Sequence, residues 1–227
     1  MQTLSIQPAV SPRPKGDLDQ TLAQAALRRV EAKEFVFVEG DPTTHVFRVE
    51  TGAVTLYKVL ADGRRQVVGF AHPGDLIGLG AQGEHVMNAQ AIKPTRMRCL
   101  AMATLHRSAA QDAALGFKLY EAVARELAAT RDLMLTTGQR SATERVVSFL
   151  LTFSHRAVRN GQDACDFELP MTRADIGDFL GLTIETVSRT FTKLKTMGVI
   201  ELPQSNRVKL VAVDQLESLA AGEDDQN

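Results

Sequence analysis

Met171-Thr172-Arg173-Ala174-Asp175-Ile176-Gly177-Asp178-Phe179-Leu180-Gly181-Leu182-Thr183-Ile184-Glu185-Thr186-Val187-Ser188-Arg189, continuing through Thr190-Phe191-Thr192-Lys193-Leu194-Lys195-Thr196-Met197-Gly198, is the most informative stretch of the chain. Thr172 and Asp175 fit the Thr-x-x-Asp start of a helix, in which the hydroxyl accepts from the backbone at the third helical position. Ile176, Phe179 and Leu180 share one face of this helix, and Gly181 can end it because glycine takes the left-handed conformation without steric cost. Leu182 is placed to plug the corner, and Thr183 offers a second N-cap. Two short helices joined by a tight glycine-containing turn make a helix-turn-helix.

The second helix has two unlike faces. With about 100° per residue, Ile184, Val187, Phe191 and Leu194 fall on one side, while Glu185, Arg189, Thr192 and Thr196 project from the other. Ser188 sits at the edge between them and Lys193 flanks the polar side. An ordinary surface helix shows the same division, so the residue types must decide. Arginine donates two hydrogen bonds to guanine O6 and N7, and a carboxylate accepts from cytosine N4. Glu185 and Arg189 stand one turn apart near the end that enters the major groove in such motifs. A Glu–Arg pair four residues apart is also a routine helix-stabilising ion pair, and the two readings are compatible. Arg173, Lys193 and Lys195, with Thr183, Thr192 and Arg207, form the candidate set for phosphate contacts, which fix register but not sequence.

Working outward, Val199 to Leu202, a Pro203–Asn206 turn and Arg207 to Val211 read as a hairpin, which makes the module a winged helix. Arg207 and Lys209 either touch a nucleic-acid backbone or form the solvated face of an edge strand. Upstream, Ser141 with Glu144 opens an apolar helix, which Asn160-Gly161 closes. The Ala-, Leu-, Glu- and Arg-rich segment from Ala109 to Thr137 predicts a long helix ended by Gly138. Its narrow stripe of Leu119, Val123, Leu127, Thr130 and Met134 suits either a coiled-coil dimer seam or packing on the chain's own β-domain. From Phe35 to about Leu105, short β-type runs alternate with turn clusters, the best being Asp62-Gly63 between Val54–Leu60 and Arg65–Phe70. A short helix is expected around Leu22 to Val30, after a Pro-rich mobile tail, and the small, acidic end from Ala221 is expected to fray. The organisation read from this is a tail over 1–20, a β-domain over 21–108, a long helix over 109–138 and a winged helix-turn-helix over 139–220.

The 227 residues carry 26 Lys and Arg against 27 Asp and Glu, so any DNA affinity must come from local placement of charge. With neither a secretion signal nor an apolar run of membrane-spanning length, the chain is expected to be cytoplasmic, with no membrane partner. Cys99 and Cys165 lack CxxC partners, and two cysteines cannot supply four-cysteine iron–sulfur ligation within one chain. Cys165 is a possible redox residue close to the DNA-binding motif, since a sulfinate there would repel phosphate. The flanking Asp163 and Asp166 disfavour its thiolate, which supports an inert thiol instead. Neither His45, His72, His85, His106 nor His155 has metal-ligand spacing, and no clustered catalytic set is visible. No metal, cofactor or enzymatic activity is expected.

The run Leu169 to Arg189 resembles the DNA-binding motif of the CRP/FNR superfamily, and its Glu185-Thr186-Val187-Ser188-Arg189 core is like that of the FNR and FixK branches. Gly52-Ala53-Val54, Asp62-Gly63-Arg64-Arg65-Gln66 and Pro73-Gly74-Asp75-Leu76-Ile77-Gly78 are similar to that family's cyclic-nucleotide-binding-type β-roll. The resemblance spans about Phe35 to Val211. It implies an α+β fold with an N-terminal β-roll, a long dimerisation helix and a C-terminal winged helix-turn-helix. It further implies a homodimer on TTGAT-type palindromes of double-stranded DNA, base reading by Glu185, Ser188 and Arg189, and RNA polymerase as a partner. Cyclic-AMP-binding members carry a Gly-Glu pair followed by Arg-Ser, whereas Gly78 here is followed by Leu79 and no Arg-Ser occurs between Gly80 and Pro94. Oxygen sensors of the FNR type have an N-terminal cysteine cluster, and residues 1–98 contain no cysteine. The resemblance therefore narrows to FixK-like activators of low-oxygen genes, those for nitrogen fixation, respiration or denitrification. The alternatives are a haem- or nitric-oxide-responsive regulator of the same family, or a small-molecule-binding β-barrel whose winged helix makes protein contacts.

Overall fold

A computed structural model describes residues 18–79, 83–159, 161 and 163–222. The tail expected over 1–20 lies outside the described residues except for 18–20, as do Asn160 and the acidic end beyond Gly222. A short helix α1 (Leu18–Ala23) leads into strand β1 (Ala26–Val30). The helix expected over Leu22–Val30 is corrected here: β1 pairs residue for residue with a long partner strand, from Ala26 opposite Cys99 to Val30 opposite Thr95. Ala, Leu and Arg favour helix locally, and the ladder overrides that preference.

Strands β2 (Phe35–Phe37), β3 (His45–Val59), β4 (Arg65–Ala71), β5 (Leu76–Ile77) and β6 (Asn88–Ala101) complete an antiparallel roll. The order is β1-β6-β3-β4, with β2 also on β6 and β5 on β3. The Asp62-Gly63 turn joins β3 to β4 as expected, closed by Leu60 N–H on the Arg64 carbonyl at 2.8 Å. Strands as long as β3 and β6 must bend to enclose a core, and they bend together at Gly52 and Thr95, where the register shifts. Gly52 has φ +96°, and a Cβ there would stand 2.7 Å from Thr95 Cα. Val30, Phe37, Phe47, Val49, Val54 and Met97 fill the roll. Its outer side carries a second cluster, Leu22, Val46, Leu100 and Leu105, on which Leu119 packs.

The helix expected over 109–138 is two helices, α2 (Met102–Gln111) and α3 (Ala113–Gln139). Asp112 makes the break: its backbone is extended and its carboxylate accepts from Ala114 N–H at 2.9 Å and Leu115 N–H at 3.3 Å. α3 continues past Gly138 to Gln139, so that glycine does not end it. Helix α4 (Ala142–Arg159) follows, with Ser141 Oγ accepting from Glu144 N–H at 3.3 Å. The C-terminal unit comprises β7 (Asp166–Glu168), α5 (Arg173–Leu180), α6 (Ile184–Thr196), β8 (Ile200–Gln204), β9 (Arg207–Leu210) and α7 (Val213–Ala221). Val146, Leu150, Ile176, Phe191, Leu194 and Leu216 are among the residues of its core. The wing has three strands, since β7 pairs with β9 in addition to the expected hairpin.

Candidate nucleic-acid interface

Local hydrogen bonds build the helix-turn-helix. Thr172 Oγ1 accepts from Asp175 N–H at 3.1 Å, and Asp175 Oδ2 accepts from Thr172 N–H at 2.8 Å, the reciprocal capping expected. Gly181 ends α5 in the left-handed region at φ 66°. Thr183 Oγ1 then accepts from Thr186 N–H at 3.2 Å and starts α6. Gly177 was not singled out in the sequence, yet the turn depends on it. Leu182 N–H donates to its carbonyl at 2.9 Å, and a Cβ on Gly177 would sit 2.7 Å from Leu182 O. A glycine inside a helical pattern was the available signal.

On α6, Val187, Thr190, Phe191 and Leu194 are buried. Ile184 departs from the expected apolar face: it is 47% exposed, standing at the first helical position, a turn before α6 sinks its first side chain, Val187, into the core. Glu185, Ser188, Arg189, Thr192, Lys193, Lys195 and Thr196 are all exposed. The polar side of α6 is therefore uncovered along its length. The Glu185 carboxyl is held below its usual range by its own backbone N–H, by the Thr183 hydroxyl and by the charge of Arg189. It is an anion at neutral pH, drawn to the helix N-terminus and electrostatically matched to Arg189.

The remaining cations are less free. The Arg173 guanidinium lies over the Phe191 ring, 3.3 Å from its centroid, and burial pushes its pKa down to about 10. It stays charged at neutral pH, but it packs the two helices together. Arg207 is forked onto Asp166, Nε to Oδ1 at 2.6 Å and Nη2 to Oδ2 at 3.0 Å. Lys209 lies 3.2 Å from Glu201. Each wing cation thus has a carboxylate on a neighbouring strand. Cys165 is half-buried against the C-terminal core, and its carbonyl accepts from Leu210 N–H at 2.7 Å.

Contacts invisible to local reading lock this unit to the roll. Arg65 on β4 pairs with Asp175, and its Nε meets Asp178 Oδ2 at 2.8 Å, both carboxylates being on α5. Gln66 Nε2 donates to the Asp178 carbonyl at 2.7 Å. Phe70 packs on Phe179 with ring centroids 5.4 Å apart, and His72 meets Phe153 edge-on at 5.2 Å. Arg156 of α4 reaches Asp75 at 2.5 Å. Arg145 braces the motif from α4, donating to the Leu180 carbonyl at the end of α5 at 3.1 Å.

Along α3, Tyr120 is 68%, Val123 46% and Leu127 49% exposed. Thr130 is exposed too, whereas Leu119 turns inward onto the roll. The side chain of Met134 lies outside the described residues. No helix among the described residues is long and apolar enough to cross a membrane.

Comparison with known proteins agrees with this geometry. The model of the Crp-like helix-turn-helix domain matches residues 144–219, and that of the cyclic nucleotide-binding domain matches 27–112. The nitrogen fixation regulation protein FixK of Bradyrhizobium diazoefficiens is 44% identical over 190 residues, which is 83% of this chain and 79% of that protein. The transcriptional activator protein anr of Pseudomonas aeruginosa is 32% identical over 198 residues, 86% of this chain and 81% of the relative. The solved structure of FixK2 from Bradyrhizobium japonicum superposes with a TM-score of 0.81 at 38% identity, covering 86% of this chain and 96% of that one. The chain belongs to the CRP/FNR superfamily of DNA-binding transcription regulators, in its FixK-like branch, and is not an enzyme.

Proposed function

We propose that the protein acts as a homodimeric activator of low-oxygen genes, reading each half of a TTGAT-type palindrome with Glu185, Ser188 and Arg189. The observation that carries this reading is the uncovered polar side of α6, backed by buried Val187, Phe191 and Leu194. Arg189 supplies the two-pronged donor for a guanine, and Glu185 accepts from a cytosine while aligning Arg189. Thr183, Thr192, Lys193 and Lys195 meet phosphates. Arg173 and Arg207 contribute less, since one is packed on Phe191 and the other is paired with Asp166.

Dimerisation runs along α3. Tyr120, Val123, Leu127 and Thr130 recur at three- and four-residue spacing, the pattern of a coiled-coil seam, and all four are exposed in the single chain. The physiological role rests on relatives named as FixK and as transcriptional activators. Recruitment of RNA polymerase follows from activation itself. Leu79 stands where cyclic-AMP-binding members carry the glutamate, and no Arg-Ser pair follows it, which argues against control by a cyclic nucleotide.

Selection of bound sequences from a random DNA pool tests half-site, spacing and symmetry together. Arg189→Ala should cost about 1–3 kcal/mol of operator affinity and relax preference at one base per half-site. Equal binding of a TTGAT palindrome and a scrambled duplex across a range of salt would overturn the proposal.

A further inference from the structure

The joint between α3 and α4 is two residues long, Arg140 and Ser141, since α3 ends at Gln139 and α4 begins at Ala142. Arg140 is extended, with φ −95° and ψ 144°. Each residue has only two soft backbone angles, so the direction of α4 relative to α3 turns on very few of them. α4 moves with the helix-turn-helix, because Val146, Val147 and Leu150 are buried in one cluster with Ile176, Leu180, Phe191 and Leu194. Whatever fixes this joint therefore fixes α6 against α3.

Arg145 spans the joint. Its Nε donates to the Arg140 carbonyl at 2.8 Å and its Nη1 to the Leu180 carbonyl at 3.1 Å. Leu180 is the last residue of α5, so its carbonyl has no partner within that helix, and a cation is favoured there. One half-buried guanidinium thus ties the foot of α3 to the end of α5. Arg140 braces the joint in the opposite direction, donating from Nη1 to Ser148 Oγ on the second turn of α4 at 2.5 Å. A rotation about the Arg140 Cα–C bond would swing α4 and carry the carbonyl oxygen off the guanidinium. β4 holds α5 at Asp175, Asp178 and Phe179, whereas Arg145 holds its last carbonyl directly from the foot of α3.

We propose that Arg145 is a positioning residue that sets the half-site spacing the dimer accepts. It reads no base. It holds each α6 at a fixed distance and angle from the α3 seam, and through the seam from the α6 of the second copy. One added base pair moves a half-site by about 3.4 Å and turns it by about 35°, a displacement that a stiff joint resists and a loose one follows. This role rests on the homodimeric reading of the operator.

Full-length protein is titrated at one salt concentration with two-fold operators of the selected spacing and with operators one base pair longer or shorter. The spacing penalty is the ratio of these affinities. Arg145→Met should shrink it by about tenfold, the factor that one charge-assisted hydrogen bond is worth. Arg145→Lys, a point donor without the fork that serves two carbonyls, should give a penalty between the two. Should Arg145→Met fail to fold, the reduced penalty of Arg145→Lys decides the matter. Arg189→Ala should weaken every spacing alike and keep the penalty. Val208→Ala, which opens a cavity in the buried core at β9 and lowers stability away from the joint, should keep it too. A penalty left intact by the Arg145 variants, or reduced as much by Val208→Ala, would overturn this role alone. No spacing preference in the unsubstituted protein would overturn it together with the operator reading.

Discussion

Replacing Arg65 with methionine removes the charge that joins the roll to α5 while keeping most of the side chain's bulk. Arg65 is 31% exposed, Asp175 13% and Asp178 34%, so the cluster is neither a surface pair nor a fully buried one. Breaking a buried pair costs about 3–5 kcal/mol, and an exposed pair about 0–1 kcal/mol. The Asp175 contact lies toward the first limit and the Asp178 contact toward the second. The guanidinium also stands 5.2 Å over the Tyr57 ring, a contact worth about 0.5–1 kcal/mol. Without Arg65, Asp175 and Asp178 face each other one turn apart on α5, a repulsion of a few tenths of a kcal/mol. The expected loss for Arg65→Met is about 3 kcal/mol in urea unfolding followed by circular dichroism. A double-mutant cycle with Asp178→Asn should give a coupling of about 1 kcal/mol. Asp175 is desolvated, which raises its pKa, but bonds from Thr172 and Arg65 outweigh burial and the net shift is downward. A carboxyl lowered on folding stabilises above its unfolded pKa near 4 and loses that contribution as pH falls through the folded value, so the Arg65 effect should persist at pH 7 and shrink below about pH 4. A change under about 0.5 kcal/mol at neutral pH, or strict additivity in the cycle, would refute the clamp.

His72 is half-buried, edge-on to Phe153, and desolvation, with lesser repulsion from Arg156 and Lys93, holds its pKa down to about 3. The unfolded chain binds a proton the folded one refuses between pH about 6.5 and 3, so stability should fall across that window by up to about 1.4 kcal/mol per unit. His72→Phe, which keeps the ring contact, should flatten the profile; an unchanged slope excludes His72 as its source. Gly177→Ala should cost about 1–3 kcal/mol in chemical unfolding, because its Cβ meets the Leu182 carbonyl and the backbone must move. Operator affinity should fall with it, and a neutral effect on both would contradict the close packing of the turn. Cys165→Ser should leave operator affinity and its response to peroxide unchanged, since the residue is half-buried against the C-terminal core and its carbonyl, which the substitution keeps, makes the bond to Leu210 N–H. A difference beyond about threefold in peroxide sensitivity would establish an oxidation switch instead.

The helix-turn-helix was legible because nearly every bond that shapes it closes over a few residues. Thr172 bonds Asp175, Thr183 bonds Thr186, and Gly181 turns the chain, all within reach of a pattern read along the sequence. The Asp62-Gly63 hairpin was legible for the same reason. What escaped was set across the sequence. β1 looks helical alone and is a strand because β6 pairs with it from about 70 residues away. Asp112 was read as one more residue of a helix, yet its carboxylate caps a new one. Leu119 fits the stripe on α3 by spacing, but the roll, out of sight of any helical pattern, takes it inward and leaves Tyr120 outside. Arg207 reads from sequence as either a phosphate contact or the solvated face of an edge strand, whereas β7, which the hairpin pattern does not reveal, brings Asp166 beside it.

The same division bears on how α6, the helix proposed to read bases, is aimed. α6 takes its start from Thr183 and its depth from Val187, Phe191 and Leu194, but its direction relative to the rest of the molecule comes through α5. Asp175 serves twice there: Oδ2 closes the capping box with Thr172, and Oδ1 takes the Arg65 guanidinium. Gln66 holds the Asp178 carbonyl and Phe70 the Phe179 ring, so β4 grips α5 along its length by charge, hydrogen bond and ring contact. A displacement of β4 therefore cannot leave α5 where it is without breaking at least one of the three. Because α5 and α6 are joined through Gly177 and Leu182 with no slack for even a methyl group, α6 must follow. Substitutions on the roll, far in sequence from the side chains proposed to read bases, are thus expected to alter operator affinity when they fall on Arg65, Gln66 or Phe70. They should do so without changing base preference, since α6, which carries the proposed readers Glu185, Ser188 and Arg189, is built by its own local bonds.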